Sequence, residues 1–395
     1  MGRYYYGFDN LVNEHHKYVI GPALSEPVIF NAMMAKVLCD FRCGRGILPS
    51  DFIPPDMDQM QLATADLAFY KMRTMQCLQD SLDSTKQTDQ YHTQSAQTAA
   101  MFAIILMVKA EVLSGSATEL ELHLGALERL VKMGINLDHM SMTAKSPTLF
   151  TINIGCAVTR QVPPIIPPTC SDNDLPRLDE HLAESTGMSH LCTGFEDSAV
   201  VAALGPKLLC YLAWQKNFVL FKELALMGST RVTLENYGVT ASMIHRADYH
   251  LLSLHYLHKL TPVQEVARLS VLIADICAIS NIAPKTLLAR SLAGQLKKAL
   301  QVALRSMSGQ EKGELGRFLM WSSFLGAHMA TGCKERPWFL MQLISLGEGL
   351  RVTRVEQLRE IVLSFLYSQT LFKDMGGPIW EEMEELAEDI NDESW

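Results

Sequence analysis

Hydrophobic residues recur along this chain mostly at helical spacing. Three stretches open with a hydroxyl residue and carry a carboxyl or amide residue three positions later, which is the pattern of a capping box at a helix start. Each is followed by apolar residues three or four positions apart, as on the buried face of an amphipathic helix. The capping stretches are Ser116–Glu119, Thr261–Gln264 and Thr353–Glu356. The predicted core positions are Leu120, Leu124, Leu127 and Val131 after the first, Val266, Leu269, Ile273 and Ile276 or Cys277 after the second, and Leu358, Val362 and Phe365 after the third.

Strand patterns are scarce. The stretch TLFTINI at residues 148–154 alternates, but Ser146 and Pro147 before it suit a helix start, so helix is favoured there and strand stays open. Proline-rich residues 43–58 and 160–181 are predicted loops. The pattern predicts an all-α protein of about a dozen helices. Its predicted organisation is one large helical domain over residues 1–371, followed by an acidic amphipathic segment over residues 372–395.

The composition is typical of a protein with a large core. The 395 residues are 48% hydrophobic and 19% charged, which allows roughly three quarters of the unfolded surface to be buried. The nine cysteines are scattered and no secretory signal opens the chain, so free thiols in a reducing compartment are expected. The longest uncharged apolar run, residues 99–108, is about half as long as a membrane-spanning helix needs to be. No membrane association is predicted.

The charge argues against DNA binding. The chain has 43 acidic and 34 basic residues, a formal net charge of -9, and its densest basic run is only Lys297 and Lys298. Binding to the phosphate backbone needs clustered lysine and arginine side chains. We therefore expect no direct, specific binding of DNA by these residues.

Several groups of potential ligands or nucleophiles occur in the sequence, and none has the spacing that its chemistry requires. The acidic residues within 172–181 lack the glycine and the final glutamate of a calcium loop. The four histidines from 245 to 258 and the pair Cys39 and Cys43 do not have zinc-site spacing. No G-x-S-x-G elbow is present, and the Gly-Arg-Gly at 44–46 does not continue as a dinucleotide fingerprint. The prediction is therefore no catalytic, metal-binding or cofactor-binding residue, and no cofactor.

The last sixteen residues, WEEMEELAEDINDESW, contain eight acidic residues and no basic one. As a helix they would place Trp380, Met383, Leu386 or Ala387, and Ile390 on one side and acidic residues on the other. Two interpretations stay open. The apolar stripe either packs on the protein's own domain or docks into the groove of a partner, as acidic activation segments do.

The stretch RFLMWSSFLGAHMATGCKERPWFLMQL, residues 317–343, resembles a segment of fungal-specific transcription factor domains. In that family a helix rich in leucine and tryptophan leads through a Gly-Ala pair and a short turn to Glu-Arg-x-Trp-Phe, which opens the next helix. Trp321, Gly326, Arg336 and Trp338 stand at matching positions. The small pair would let a neighbouring helix approach closely, and Arg336 and Trp338 would tie the turn to it.

Three further stretches are similar to the same family, in the same order, so that the resemblance runs from about residue 4 to 371. They are GPALSEPVIFNAMMA near the start, ELELHLGALERLVKMGIN with His123 and Gly125, and PVQEVARLSVLIADICAI with Arg268. The resemblance implies a structural role for the matching positions. The family-signature positions are His123, Gly125, Arg268, Trp321, Gly326, Arg336 and Trp338.

The resemblance implies a nuclear, transcription-factor-like regulator, with control of a fungal secondary-metabolite gene cluster as one expectation. Family members usually carry an N-terminal zinc cluster of six cysteines, and this sequence begins directly in the regulatory domain. Its expected mode of action is therefore through protein partners, either a zinc-cluster transcription factor or coactivator, or a second copy as a homodimer. A small-molecule effector is also compatible with the family. The alternative is a biosynthetic enzyme or small-molecule-binding protein that reuses the helical fold.

Overall fold

The computed structural model of the protein describes residues 21–42, 59–84, 90–114, 116–132, 152–155, 162–164, 187–227, 234–277, 286–368 and 376–392. The prediction of an all-α protein is confirmed, because these residues form fourteen α-helices and one short 3₁₀ helix and contain no strand. The helices up to residue 132 are α1 (Gly21–Ser25), α2 (Pro27–Arg42), α3 (Gln59–Ser84), α4 (Gln90–Ser114) and α5 (Ala117–Lys132). The 3₁₀ helix is Thr193–Glu196, and it is followed by α6 (Ser198–Leu226), α7 (Leu234–Leu257), α8 (Pro262–Asp275), α9 (Leu287–Ser306), α10 (Gly309–Glu314), α11 (Gly316–Met329), α12 (Arg336–Leu350), α13 (Val355–Leu363) and α14 (Gly376–Asp392).

The chain divides into two compact units. The first comprises Met1–Pro167 with Thr286–Leu288, and the second comprises Pro168–Lys285 with Ala289–Trp395. The organisation into one domain over residues 1–371 and a separate acidic segment stays a prediction.

The first unit is built around α4. This helix packs against α2 and α5, and α2 packs in turn against α3. The apolar run at 99–108 lies in α4 and is buried on nearly all sides, from Ala103 to Val108 without interruption. A helix that is apolar all round belongs in the centre of a protein, which explains why this run is not amphipathic. The run is also too short to span a membrane. No helix in the described ranges is both long and apolar enough to cross a bilayer.

The second unit has α11 at its centre. Residues Phe318–Ala327 are all buried, and the helix packs against α8, α12, α13 and α14. A second group forms where α6 packs against both α7 and α8. The helix α6 kinks at Gly205, whose φ of 75° is left-handed, directly before Pro206. The side-chain amide of Gln264 in α8 donates to the carbonyl of Leu204 at 3.2 Å, which satisfies a carbonyl next to the kink.

The helix starts follow the sequence pattern at Thr261 and depart from it at Ser116 and Thr353. At Thr261 both halves of the capping box form, and α8 begins at the next residue. At Ser116 the hydroxyl accepts from the backbone N–H of Glu119, but the Glu119 carboxylate binds Lys71 instead of turning back to the cap. The prediction of a box from Thr353 to Glu356 is wrong, because Gln357 is the residue whose side chain accepts from the backbone N–H groups of Thr353 and Arg354.

The predicted core faces are buried wherever the structure describes them. Leu120, Leu124 and Leu127 in α5 are at most 1% exposed, and the residues predicted for α8 and for the third stretch are buried as well. In the stretch 148–154, residues 152–154 are helical, which favours the helical interpretation of that part. The side chain of Val131, the predicted loop at 43–58 and most of the loop at 160–181 lie outside the described residues.

Candidate functional site

Five of the seven family-signature positions lie in the second unit, and three of these surround the turn between α11 and α12. We call residues 330–335 the hinge turn. It passes through Gly332, whose φ of 71° is in the left-handed region that favours glycine, and α12 then begins at Arg336 with Pro337 in its first turn. The turn folds α12 back onto α11. A Cβ atom at Gly326 would stand 2.2 Å from the ring of Phe339, so this close approach of the two helices requires glycine.

Arg336 ties the hinge turn to the C-terminal helix. Its Nε and Nη2 donate to the two carboxylate oxygens of Glu382 in α14, at 2.6 and 2.7 Å. Its Nη1 donates to the carbonyl of Ala327 and, at 2.8 Å, to the hydroxyl of Thr331. The side chain is almost completely buried. The planar guanidinium can donate to both oxygens of one carboxylate and at the same time to other acceptors, which a lysine ammonium could not do in this geometry. The hydrogen bonds from Arg336 lower the pKa of Glu382.

Trp321 and Trp338 have different surroundings. Trp321 is fully buried and belongs to an aromatic cluster, stacked on Phe365 with 5.4 Å between ring centroids and edge-on to Phe195 at the same distance. Trp338 is half-buried at the start of α12, where the Lys297 ammonium lies 5.7 Å from its ring centroid. Trp321 therefore contributes to the core, whereas Trp338 links α12 to α9 through a cation–π contact.

Arg268 joins α8 to α7. Its guanidinium donates to both carboxylate oxygens of Glu265, at 2.8 and 2.6 Å, and reaches the carbonyl of Leu251 at 3.5 Å. Glu265 also lies 3.3 Å from the Nδ1 atom of His255, while His258 lies 2.7 Å from the ammonium of Lys207. These two histidines are thus engaged with different partners and do not form a shared metal site.

In the first unit, His123 lies beside a partly buried ion cluster. The ammonium of Lys71 in α3 is 2.5 Å from the carboxylates of both Glu111 in α4 and Glu119 in α5. Burial opposes the charge on Lys71, but the hydrogen bonds to Glu111 and Glu119 raise its pKa overall. Burial lowers the pKa of His123, although the nearby Glu119 partly offsets this effect. The cluster cross-links α3, α4 and α5. Gly125 is half-buried on α5.

The most unusual polar group of the second unit joins three helices and is not predicted by the sequence pattern. Gln215 of α6 donates through its Nε2 atom to Asp248 of α7, at 3.1 Å, and to Asp275 of α8. All three side chains are at most 1% exposed. The only signal in the sequence is a single acidic residue within an apolar helix, as in SVLIADICAI. One acid in a stripe does not reveal that a second acid will face it.

Burial sets the protonation of this carboxyl pair. Desolvation raises the pKa of Asp248 to about 7 and, with the adjacent Asp248 charge, raises that of Asp275 well above its ordinary value. Two carboxylates this close in apolar surroundings cannot both be ionised at neutral pH, so the pair retains at least one proton. Such a pair could exchange protons, but in this structure three packed helices separate it from solvent. Its observable role is to hold α6, α7 and α8 together.

The structure describes some of the other candidate metal ligands and nucleophiles. Within the described ranges, no group of three or more His, Cys, Asp or Glu residues is arranged to hold a metal ion. The acidic loop at 172–181 and Cys43 lie outside those ranges, and Cys39 is buried. Burial raises the pKa of both Cys192 and Cys277 to about 12, so these thiols are poor nucleophiles.

A small cavity lies in the second unit between α11 and α13. Its lining includes Phe324, Leu358, Val362 and Tyr367. Its volume of about 10 Å³ is room for a single water molecule. This cavity is too small for an organic effector, and the small-molecule effector stays a prediction.

Comparison with known proteins gives one match. Residues 5–151 match the family model described as the fungal specific transcription factor domain, which confirms the resemblance over this region. His123 and Gly125 lie inside the matched residues, whereas the other five signature positions rest on the sequence resemblance alone. No curated protein and no solved structure matches the chain. The family match indicates a regulatory role in transcription and favours a non-enzymatic function.

Proposed function

We propose that this chain regulates transcription by binding other proteins, and that it does so without specific DNA contacts of its own. The observation that carries the proposal is the match of residues 5–151 to the fungal specific transcription factor domain. The net charge of -9 supports an action through protein partners, because it opposes approach to a polyanion. We include in the proposal a nuclear location and, from the family resemblance, a set of target genes in a secondary-metabolite cluster.

The helix α14 supplies a surface for such partners. It contains seven acidic residues and no basic residue. Its apolar side is anchored on the second unit, where Ile379 and Met383 are buried, which is the first of the two interpretations that the sequence left open. Its acidic side faces solvent at Glu381, Glu384, Glu385, Glu388 and Asp389. A partner would therefore meet a row of carboxylates on a fixed helix.

A tethering assay tests this function. The chain would be fused to an unrelated DNA-binding domain and directed to a reporter promoter in fungal cells. We expect reporter transcription to change, and we expect the variant Glu384→Gln/Glu388→Gln to reduce the change. The matched control Glu121→Gln neutralises an exposed acid of the first unit and should leave the response intact. A nuclear, well-expressed fusion that leaves transcription unchanged in both directions would refute the proposal.

Affinity purification from the native host identifies the partner class. The expected finding is a zinc-cluster transcription factor or a coactivator that is lost from the variant Glu384→Gln/Glu388→Gln. Recovery of biosynthetic enzymes alone would instead favour a role in the pathway itself.

A further inference from the structure

The helix α9 is a basic element in an acidic protein. It contains four basic residues and no acidic residue. Arg290, Lys298 and Arg305 are exposed and Lys297 is half-buried. Steps of seven or eight residues place these side chains on one face of the helix, over a length of roughly 22 Å. In the described part of the chain, none of the four forms an ion pair.

The helix α14 has the opposite character. Seven of its residues are acidic, and of the six whose side chains the structure describes only Glu382 is used internally, by Arg336. Among the residues that the structure describes, the exposed carboxylates of Glu381, Glu384, Glu385, Glu388 and Asp389 make no ion pair. The second unit therefore carries one unneutralised basic face and one unneutralised acidic face.

The start of α12 lies between these two faces. Arg336 reaches α14 through Glu382, and Trp338 contacts Lys297 of α9. Residues two positions apart on a helix point in nearly opposite directions, so α14 and α9 lie on different sides of this turn. Between them α12 presents Pro337, which is exposed, and Met341, which is 39% exposed. The surface thus runs from basic through apolar to acidic.

We propose that this surface is the contact between two copies of the chain, in which α9 of each copy faces α14 of the other across the start of α12. A surface that is positive on one side and negative on the other is complementary to itself after a two-fold rotation. Each contact then occurs twice, and the two exposed methionines at position 341 meet near the axis. The acid-rich α14 of a second copy complements the basic face, and the seven acidic residues on α14 of the same copy disfavour DNA as the occupant. The inference concerns self-association and does not depend on the proposed role in transcription. A second copy on the acidic face of α14 would compete with any other protein partner that binds this face.

The association is expected to be weak and sensitive to salt. Exposed ion pairs contribute little individually, and ions in solution screen them. The apolar centre is small, so most of the specificity comes from charge. A concentration-dependent dimer that weakens about tenfold between low and high salt is the expected behaviour.

Charge reversal in sedimentation experiments on the full chain tests the arrangement. The variant Lys298→Glu/Arg305→Glu leaves α9 with two basic and two acidic residues and so with no net charge. The variant Glu384→Lys/Glu388→Lys leaves three of the five exposed acids of α14 and places two lysines among them. Each variant alone should dimerise at least about tenfold more weakly than the wild type. An equimolar mixture of the two should recover a heterodimer, because both of its contacts again pair opposite charges. The control variant Arg73→Glu/Arg129→Glu, which reverses two exposed cations of the first unit, should dimerise like the wild type.

Several results would overturn the proposal. A wild-type chain that stays monomeric at about 100 µM in low salt rules out this dimer. A dimer that survives both reversals, or that the control variant disrupts equally, places the contact elsewhere. Two monomeric variants that fail to associate when mixed contradict the pairing of α9 with α14. A monomeric wild type that binds duplex DNA through Lys298 and Arg305 assigns the basic face to nucleic acid instead.

Discussion

The ring of Phe339 packs so closely against Gly326 that no larger residue fits at this position. An alanine there would gain helix propensity, which favours alanine over glycine by about 1 kcal/mol. Its methyl group would, however, fall 2.2 to 2.6 Å from atoms of the Phe339 ring in a fully buried contact. We expect Gly326→Ala to lower the free energy of unfolding by about 1–3 kcal/mol, because overpacking outweighs the gain in propensity. Urea unfolding followed by circular dichroism measures the change.

The control for this prediction is Gly294, in the interior of α9. A Cβ atom there meets nothing within 4 Å, so Gly294→Ala should stabilise the protein by up to about 1 kcal/mol. Equal effects of the two substitutions would show that the contact with Phe339 does not constrain position 326.

The buried carboxyl pair predicts how stability depends on pH. An unfolded aspartate loses its proton near pH 4, whereas the folded pair keeps one because burial raises the pKa of Asp248 to about 7 and that of Asp275 as well. The folded state therefore binds more protons, and its stability falls as pH rises from about 4 to 7 and above. Asp248→Asn removes one ionisable group and supplies a permanent donor. We expect it to reduce this fall and to stabilise the protein at pH 8 by about 1–3 kcal/mol.

Urea midpoints at pH 5 and pH 8 measure this effect. The exposed Asp389 provides the matched control, since Asp389→Asn should leave the difference between the two midpoints as in the wild type. If Asp248→Asn destabilises the protein equally at both pH values, the pair does not hold a shared proton.

The residue scale also shows where sequence reasoning stops. Gly326 and Arg336 could be selected in advance because a family resemblance drew attention to them. The group of Gln215, Asp248 and Asp275 could not, because its members are separated by 33 and 60 positions along the chain. Their proximity depends on the packing of three helices, which local spacing does not encode.

At the scale of elements, α14 is held by both burial and an ion pair. Ile379 and Met383 are buried, and Glu382 forms the bidentate pair with Arg336. Glu382→Gln removes the charge that offsets the nearly buried guanidinium. Since Glu382 is itself partly exposed, we expect a loss of only about 1 kcal/mol in the docking of α14. Hydrogen exchange measured by mass spectrometry should therefore become faster in residues 376–392.

The neighbouring acid at position 385 distinguishes pairing from a general charge effect. Glu385 is exposed, and Glu385→Gln removes the same charge from the same helix without touching Arg336. Exchange in α14 should stay at the wild-type rate in this variant. Faster exchange in both variants would mean that acidic charge as such, and not the pair with Arg336, holds the helix.

Helix starts were predictable where the cap and the apolar face agree. At Thr261 both signals coincide, and the box and the buried stripe that includes Val266 and Leu269 both form. At Thr353 two acceptors compete, since Glu356 and Gln357 are adjacent, and the structure uses Gln357. A second box at Ser308 and Glu311, which opens α10, was missed because no apolar stripe follows it. Capping chemistry alone therefore defines short helices poorly.

At the scale of the whole molecule, the apolar pattern predicts the class of fold well but not the arrangement of helices. The two runs that lack helical periodicity, in α4 and α11, became the central helices of the two units because every side of them is covered. Amphipathic stripes identify which side of a helix is buried. They do not identify the neighbouring helix, so the pairing of α12 with α11 followed only from the structure.

The distribution of charge over the whole chain predicts its behaviour toward DNA. The four cations of α9 are the largest group on one helix face in the described ranges, and each phosphate contact steepens the dependence on salt by only about one unit. Because the chain as a whole has a net charge of -9, duplex DNA should bind no better than about 10⁻⁴ to 10⁻⁶ M at physiological salt, the range of nonspecific contacts. Fluorescence anisotropy at about 150 mM salt, with unrelated duplex sequences as controls, measures this affinity.

Lys298→Glu/Arg305→Glu should weaken even the residual binding equally for all sequences, because contacts to phosphate carry no sequence information. Sequence-dependent nanomolar binding would instead reveal a DNA-reading surface that the fold assembles from distant residues, and would contradict an action through protein partners.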